Sequence, residues 1–478
     1  MSRTFALPAI WKRMSSTSST GTLTYHSKPL PSKAHLHGPL SDNLFPKGYV
    51  ATGVHCGVKK PTALDLAVIL STSDRPTSAA ASFTRNAFKA APVLVCQEVL
   101  DRNEGRARGL VVNSGCANAV TGKQGISDAW AMVKSTDGLL DPPPSHSQPS
   151  TLVMSTGVIG PTLPIGKITS AIEGLKGGPL GSRFEDWEKA ARAFMTTDTF
   201  PKLRARTFKI RDKEYAIAGI DKGAGMIHPD MGPAAVHSPS PTSGLHATLL
   251  GCIVTDAAVS PTSLQTALDY AIDRSFNSIS VDGDMSTNDT VVVFANGAAQ
   301  PEEKEIDQET DWEGYEVFRD ELTSFAQELA QLVVWDGEGA TKFVTVNVEG
   351  AATFEDAHKI ASKVSTSALL KTALYAEDAN WGRVLAAVGS IQGLTKPLEP
   401  ARVNVLFVPE DGTPPLPVLV GGEPENVDEV RAKEILSEGK FEIKIQLGIG
   451  EESAKYWTCD LSYVSLRPFF SKFLPGGV

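Results

Sequence analysis

Apolar residues in this chain fall into two patterns, short continuous runs and stripes at helical spacing. Their interleaving predicts a mixed α/β fold. Leu110-Val111-Val112-Asn113 and Leu152-Val153-Met154-Ser155 are apolar runs ending in small polar residues, as buried strands leading into loops do. A helix is predicted over 186–195. Phe318, Leu322, Phe325, Leu329 and Leu332 share one helical face, which predicts a long amphipathic helix over 315–334. Residues 343–348 alternate like a half-buried strand, and 441–447 alternate again. Thr353, followed by Asp356, is placed to cap a helix running to about residue 375. Strands and helices in both halves predict layered sheets covered by helices.

Two stretches break the pattern. Residues 232–246 are poor in large apolar side chains and rich in Pro and Ser, so an exposed flexible loop is expected there. Residues 141–149, with three successive prolines, are expected to be a surface linker.

Composition narrows the class. The 478 residues are 41% hydrophobic and 21% charged, as in a soluble globular protein of two or three domains. No run of eighteen apolar residues suits a membrane span. A net charge of -10, with no Lys/Arg stripe carrying interleaved aromatics, argues against a nucleic-acid partner. Five scattered cysteines (Cys56, Cys96, Cys116, Cys252 and Cys459) have no metal-binding spacing and are expected to be reduced, structural thiols. The first forty-one residues differ from the rest. They carry Arg3, Lys12, Arg13, Lys28 and Lys33, a Ser/Thr cluster and no acidic residue before Asp42, the composition of a mitochondrial transit peptide. Removing five positive charges would take the net charge from -10 to -15.

Candidate chemistry concentrates between Lys222 and Asp256. This stretch opens with Lys-Gly-Ala-Gly-Met-Ile-His-Pro and closes with Ala247-Thr248-Leu249-Leu250-Gly251-Cys252-Ile253-Val254-Thr255-Asp256. A threonine among small and apolar residues, with a glycine-rich approach, suits self-cleavage. The Thr248 hydroxyl attacks the Ala247 carbonyl, the peptide becomes an ester, and water releases two chains. Thr248 then carries a free α-amine beside its own hydroxyl, so base and nucleophile share one residue. An ordinary packed Ala-Thr pair is the alternative.

Other constellations each admit a structural and a chemical reading. Ser155-Thr156-Gly157-Val158-Ile159-Gly160 places a hydroxyl beside an open backbone N–H. It is either a plain turn or an oxyanion hole, whose donors are each worth roughly 3 kcal/mol in acyl-transfer enzymes. Thr196-Thr197-Asp198-Thr199 either caps a helix end or hydrogen-bonds a substrate. Glu338, between two glycines after the long helix, is either solvated or placed to bind an ammonium. The carboxylates of 280–289 lack calcium-loop spacing and are expected to structure turns, with no metal site. Cys116 sits in a predicted turn without a partner histidine nearby.

The combination closely resembles the ornithine acetyltransferase family, the bifunctional glutamate N-acetyltransferases of the cyclic arginine pathway, in its fungal mitochondrial form. Matching stretches are 113–122, 155–160, 196–202, 222–229, 247–256, 280–290, 336–346 and 378–383, in the family's order across 48–462. The resemblance implies an α/β (α+β) two-domain layered sandwich related to the self-processing aminopeptidases. It implies a leader over 1–41, then autocleavage between Ala247 and Thr248 into chains of 42–247 and 248–478, assembled as an α2β2 heterotetramer in the mitochondrial matrix. It also implies ping-pong transfer of acetyl from N-acetylornithine through Thr248 to glutamate, with acetyl-CoA as a further donor and no cofactor or metal. By motif position, Thr156 and Gly157 supply the oxyanion hole, while Thr196, Lys222, Thr248 and Glu338 contact substrate. Two stretches depart from the family pattern: the Pro/Ser-rich insert at 232–246, and the tail from Val464, which lacks the Tyr-Glu-Tyr-Val-like strand, the Asn and the terminal Ser or Thr with which relatives end and help bind substrate. An amidase or aminopeptidase using the same threonine, or a non-catalytic relative, are the alternative functions.

Overall fold

The computed structural model describes residues 29–145, 147–233 and 249–462, together with the backbone of 246–247. Thr248, the bulk of the Pro/Ser-rich stretch, the leader up to residue 28 and the tail from Tyr463 lie outside the described residues.

Up to the end of the long helix, the chain forms β1 (Tyr49–Val54), β2 (Leu66–Ser71), β3 (Ser78–Thr84), α1 (Ala91–Arg102), β4 (Gly109–Cys116), α2 (Gly122–Asp137), β5 (Thr151–Val158), α3 (Ile165–Glu173) and α4 (Phe184–Phe194). It continues through β6 (Lys202–Ile210), β7 (Lys213–Lys222), β8 (Met231–Gly232), β9 (His246–Ala247), β10 (Leu250–Thr255), α5 (Pro261–Asp273), β11 (Ile279–Ser280), β12 (Thr290–Ala295) and α6 (Trp312–Trp335). The remainder forms β13 (Phe343–Ala351), α7 (Phe354–Ser365), α8 (Ala368–Ala376), α9 (Gly382–Gly389), β14 (Asn404–Pro409), β15 (Leu416–Val420), β16 (Glu423–Pro424), α10 (Glu429–Ser437), β17 (Lys440–Gln446) and β18 (Glu452–Cys459).

These strands make three sheets: β1-β2-β4-β5-β9, β6-β7-β10-β12-β3-β8, and β11-β18-β13-β17-β14-β15-β16. The second sheet is apolar on both faces because it is covered on both. Ile220, Cys252 and Val292 point into one core shared with the first sheet. Their neighbours Ile217, Ile253 and Val293 point into another, closed by α5 and α6. The stripe Phe318, Leu322, Phe325, Leu329 and Leu332 lies in that second core, each side chain worth about 1.5–3 kcal/mol on burial. The third sheet packs under α7, which contacts β13 and β18, around a core of its own. The layered α/β sandwich expected from the sequence is thus the architecture observed.

One boundary differs from expectation. Thr353 does cap a helix, its hydroxyl accepting from Asp356 N, but that helix ends at Ser365. Ser367 then accepts from Leu370 N and starts α8 afresh, so a second cap divides what apolar spacing suggested was one helix. Three residues within the stretch expected as a leader contact the body. Lys33 Nζ lies 3.4 Å from Asp336 Oδ1, His37 Nε2 lies 3.1 Å from Glu188 Oε1, and Leu36 O accepts from Arg204.

Asp221 in β7 is fully buried, and among the described residues neither carboxyl oxygen has a hydrogen-bond partner. Burial pushes its carboxyl well above the ordinary range, against the pull of Lys202. A raised folded-state value gives stability that is complete below the unfolded value, about 3.9, and is lost as pH rises towards the folded one. Asp221→Asn should therefore lose less stability than wild type between about pH 5 and pH 8. Chemical denaturation at the two pH values measures this, and equal slopes would contradict it.

Candidate active site

The central strands bring the site together. Gly157, near the end of β5, runs parallel to Gly115 of β4 so closely that a Cβ on it would lie 2.3 Å from the Gly115 carbonyl carbon. Its φ of +126° is also a conformation that side chains disfavour, so only glycine fits. On its other edge Gly157 pairs with Ala247 of β9 in antiparallel register. Leu249 is held from the opposite side. Its N–H donates to Asp289 Oδ1 at 3.1 Å and its carbonyl accepts from Thr290 N. Both neighbours of Thr248 are therefore fixed beside the Thr156-Gly157 turn, while Thr248 itself lies outside the described residues.

Lys222 closes β7 and reaches across to the first sheet, donating from Nζ to Thr156 Oγ1 at 3.2 Å. It is fully buried, and no described carboxylate forms an ion pair with it. Burial lowers its pKa, although the charge of Asp198 works against that. Lys202 shows the contrast. Equally buried, it pairs with Asp198 Oδ1 at 2.6 Å and Asp336 Oδ2 at 2.7 Å. Burial pulls its pKa down, but the two carboxylates hold it above the ordinary value. A buried ammonium without a counter-ion is costly, so Lys222 marks where an anion would be welcome.

Asp198 ties the remaining groups to this point. It accepts from Thr196 N and Gly223 N, both at 2.8 Å, as well as from Lys202. Burial raises its pKa, but Lys202 and Lys222 together hold it far below the carboxylate range. Thr196 is thus locked beside the glycine that follows Lys222. Glu338 arrives from the end of α6. Its N–H donates to Ala224 O at 2.8 Å, and its carboxyl lies over Gly225, where a Cβ would come within 2.7 Å of Cδ.

Thr156, Gly157, Thr196, Lys222 and Glu338, distant in sequence, therefore converge with the flanks of Thr248. The carboxylates of 280–289 serve as turn anchors. Asp282 accepts from Met226 N and Ile227 N, fixing the glycine-rich loop, and Asp289 holds Leu249 and Ser286. Burial pushes Asp282 up to about 6 and Asp289 up to about 7. Among the described residues no group of three His, Cys, Asp or Glu side chains could hold a metal ion, and no helix is long and apolar enough to cross a membrane. Cys116 ends β4 with its thiol on Pro161 O, and burial raises its pKa, opposite to what a nucleophile needs.

Three contributors escaped the sequence reading. Asp198 and Lys202 stand four residues apart but outside any helix, so helical spacing gave no signal for their pairing. Lys59 donates to Met195 O and Leu64 O at the edge of this cluster, and burial lowers its pKa to about 8. A separate cavity of about 430 Å³, lined by Lys47, Tyr215 and Asp256 among others, shares none of these residues.

The profile of the ArgJ family matches residues 50–467 of this chain. The "Arginine biosynthesis bifunctional protein ArgJ, mitochondrial" of Postia placenta is 66% identical over 466 residues, covering 96% of this chain and 98% of that protein. The protein of the same name from Laccaria bicolor is 64% identical, covering 93% and 96%. That of Cryptococcus neoformans is 50% identical, covering 96% and 95%. Agreement of this extent, over nearly the whole length of both this chain and its relatives, makes this chain a member of the ArgJ family.

Proposed function

We propose that this chain is a bifunctional acetyltransferase of arginine biosynthesis that uses Thr248 as its nucleophile. The observation that carries the proposal is the buried Lys222 ammonium. It lacks a carboxylate partner and sits on Thr156, beside a glycine paired with the residue that precedes Thr248.

The precursor first cleaves itself. Thr248 Oγ adds to the Ala247 carbonyl, the C–N bond breaks as the ester forms and frees the Thr248 amine, and water then splits the ester into the Ala247 carboxylate and the Thr248 hydroxyl. In transfer, the α-amine takes the hydroxyl proton while Oγ attacks the acetyl carbonyl of N-acetylornithine. The Thr156 hydroxyl and Gly157 N–H receive the developing oxyanion, and ornithine leaves carrying that proton. The glutamate ammonium gives up one proton to solvent, its amine attacks the acetyl ester, and the C–Oγ bond breaks as the amide forms, the proton lost from nitrogen restoring the Thr248 hydroxyl. Acetyl-CoA enters by the same first step, leaving as the free thiol. Lys222 holds the α-carboxylate of either amino acid, Glu338 an ammonium, and Thr196 a polar group between them. The processed chains assemble as an α2β2 heterotetramer in the mitochondrial matrix. The contacts of Lys33 and His37 with the body support a leader that ends before Lys33.

Intact mass of the purified protein beside Thr248→Ala tests the nucleophile. Wild type should give two fragments divided before Thr248 and the variant one chain; a single, active wild-type chain would overturn the proposal. Gly157→Ala drives a Cβ into the Gly115 carbonyl, so processing should stall and kcat of any processed enzyme fall about 100-fold or more. Unchanged processing and kcat would remove Gly157 from the oxyanion hole.

Lys222→Met separates binding from stability. Removing an unpaired buried charge should leave Tm unchanged or higher. Loss of a charge-assisted hydrogen bond should raise KM for glutamate roughly 10- to 150-fold. A fall in Tm with KM unchanged would assign Lys222 to the fold.

A further inference from the structure

The loop that presents Glu338 has little rigidity of its own. Gly337 and Gly339 flank the glutamate, and Gly339 takes a φ of +74°. Besides the Glu338 N–H bond to Ala224 O, the loop is held at each of its two ends by a buried carboxylate. At the first end, Asp336 accepts from Lys202 Nζ and Thr199 N at 2.7 and 2.9 Å. At the second end, the partner comes from the far end of the chain. Asp460, just past β18 and 1% exposed, accepts from Thr341 N at 2.8 Å and Lys342 N at 3.0 Å through Oδ1, and from Thr341 Oγ1 at 2.5 Å through Oδ2. Two residues further on, Ser462 Oγ donates to Gly339 O at 2.9 Å. The approach is close: a Cβ on Gly337 would lie 3.1 Å from Cys459 Sγ.

Three donors from two successive residues on one carboxylate fix both its orientation and the backbone they belong to. The bond from Ser462 then reaches the residue next to Glu338 itself. We infer that Asp460, seconded by Ser462, is a positioning residue: the end of β18 sets where the Glu338 carboxylate meets the ammonium of the amino-acid substrate. This rests on Glu338 binding that ammonium. Among the described residues Asp460 hydrogen-bonds Thr341 and Lys342 and not the oxyanion turn, so its removal should act on substrate affinity more than on the acetyl-transfer step.

Steady-state kinetics of the processed enzyme tests the inference, using Asp460→Ala, Asp460→Asn, Thr341→Val, Glu338→Gln and the Asp460→Ala/Glu338→Gln double variant. Asp460→Ala should raise KM for glutamate about tenfold while kcat changes by less than about threefold. Asp460→Asn, whose amide can keep the oxygen contacts and donate to Thr341 Oγ1, should restore KM to within about twofold of wild type. Thr341→Val removes one bond only, and should fold if Asp460→Ala does not, giving a smaller rise in the same direction. In the Glu338→Gln background, Asp460→Ala should add less than about twofold, since both act through one group. If Glu338→Gln raises KM but Asp460→Ala and Thr341→Val leave it unchanged, or if the effects multiply in the double variant, positioning by Asp460 is wrong. If Glu338→Gln itself leaves KM unchanged, the ammonium reading of Glu338 fails, and this inference with it.

Discussion

The structure around the site depends on one buried ion cluster, Lys202 between Asp198 and Asp336. All three side chains are fully out of water, and Lys202 reaches both carboxylates at hydrogen-bond distance. Such a cluster is a poor source of net stability, because desolvating three charges costs about as much as their attraction returns. Its value is geometric. Lys202 begins β6, Asp198 lies in the turn after α4, and Asp336 caps the end of α6, so three elements from separate parts of the chain have one permitted alignment. Removing Lys202 would leave two buried carboxylates without their shared cation, which is why the alignment is hard to relax.

From that alignment the rest of the site follows. Asp198 still has acceptor capacity after binding Lys202, and spends it on Thr196 N and Gly223 N. That fixes the glycine-rich turn, hence the end of β7 and the direction in which Lys222 leaves the strand. Asp336 likewise fixes the root of the loop carrying Glu338. The result is an asymmetry between two lysines in similar burial. Lys202 is fully neutralised and structural. Lys222 has a hydroxyl for a partner and no counter-ion among the described residues, so its charge is available to a ligand. An acidic protein that must hold amino-acid carboxylates needs one such cation, shielded from its own surface charge.

Much of this was legible in the sequence where local pattern and local structure coincide. The apolar runs at 110–113 and 152–155 are the centres of β4 and β5, and the α6 stripe is buried as its spacing predicted. Thr156, Gly157, Thr196, Lys222 and Glu338 were singled out by motif position in the family resemblance, whereas local residue pattern alone left the Thr156-Gly157 turn, Thr196 and Glu338 open to a plain structural reading. The break between α7 and α8 was not legible from apolar spacing, which continues across it, because a single serine cap decides it. Pairings across the chain were the least accessible. The Gly115–Gly157 contact needs β4 and β5 in register, and Asp460 reaches Thr341 from 119 residues away. Neither carries a local signature, since a buried aspartate with three donors and a solvated one look alike in sequence. The contacts of the 33–37 stretch were equally hidden: composition marked 1–41 as one segment, while Lys33 and His37 find partners at 336 and 188.

The central claim is that Thr248 carries the acetyl group between donor and acceptor. Incubating the processed enzyme with N-acetylornithine in the absence of glutamate, then quenching and peptide-mapping by mass spectrometry, tests it directly. The account predicts one acetyl group on the peptide beginning at Thr248, which disappears when glutamate is added and N-acetylglutamate forms. Acetyl transfer at full rate with no acetyl on that peptide, or with the acetyl on another residue, would contradict it.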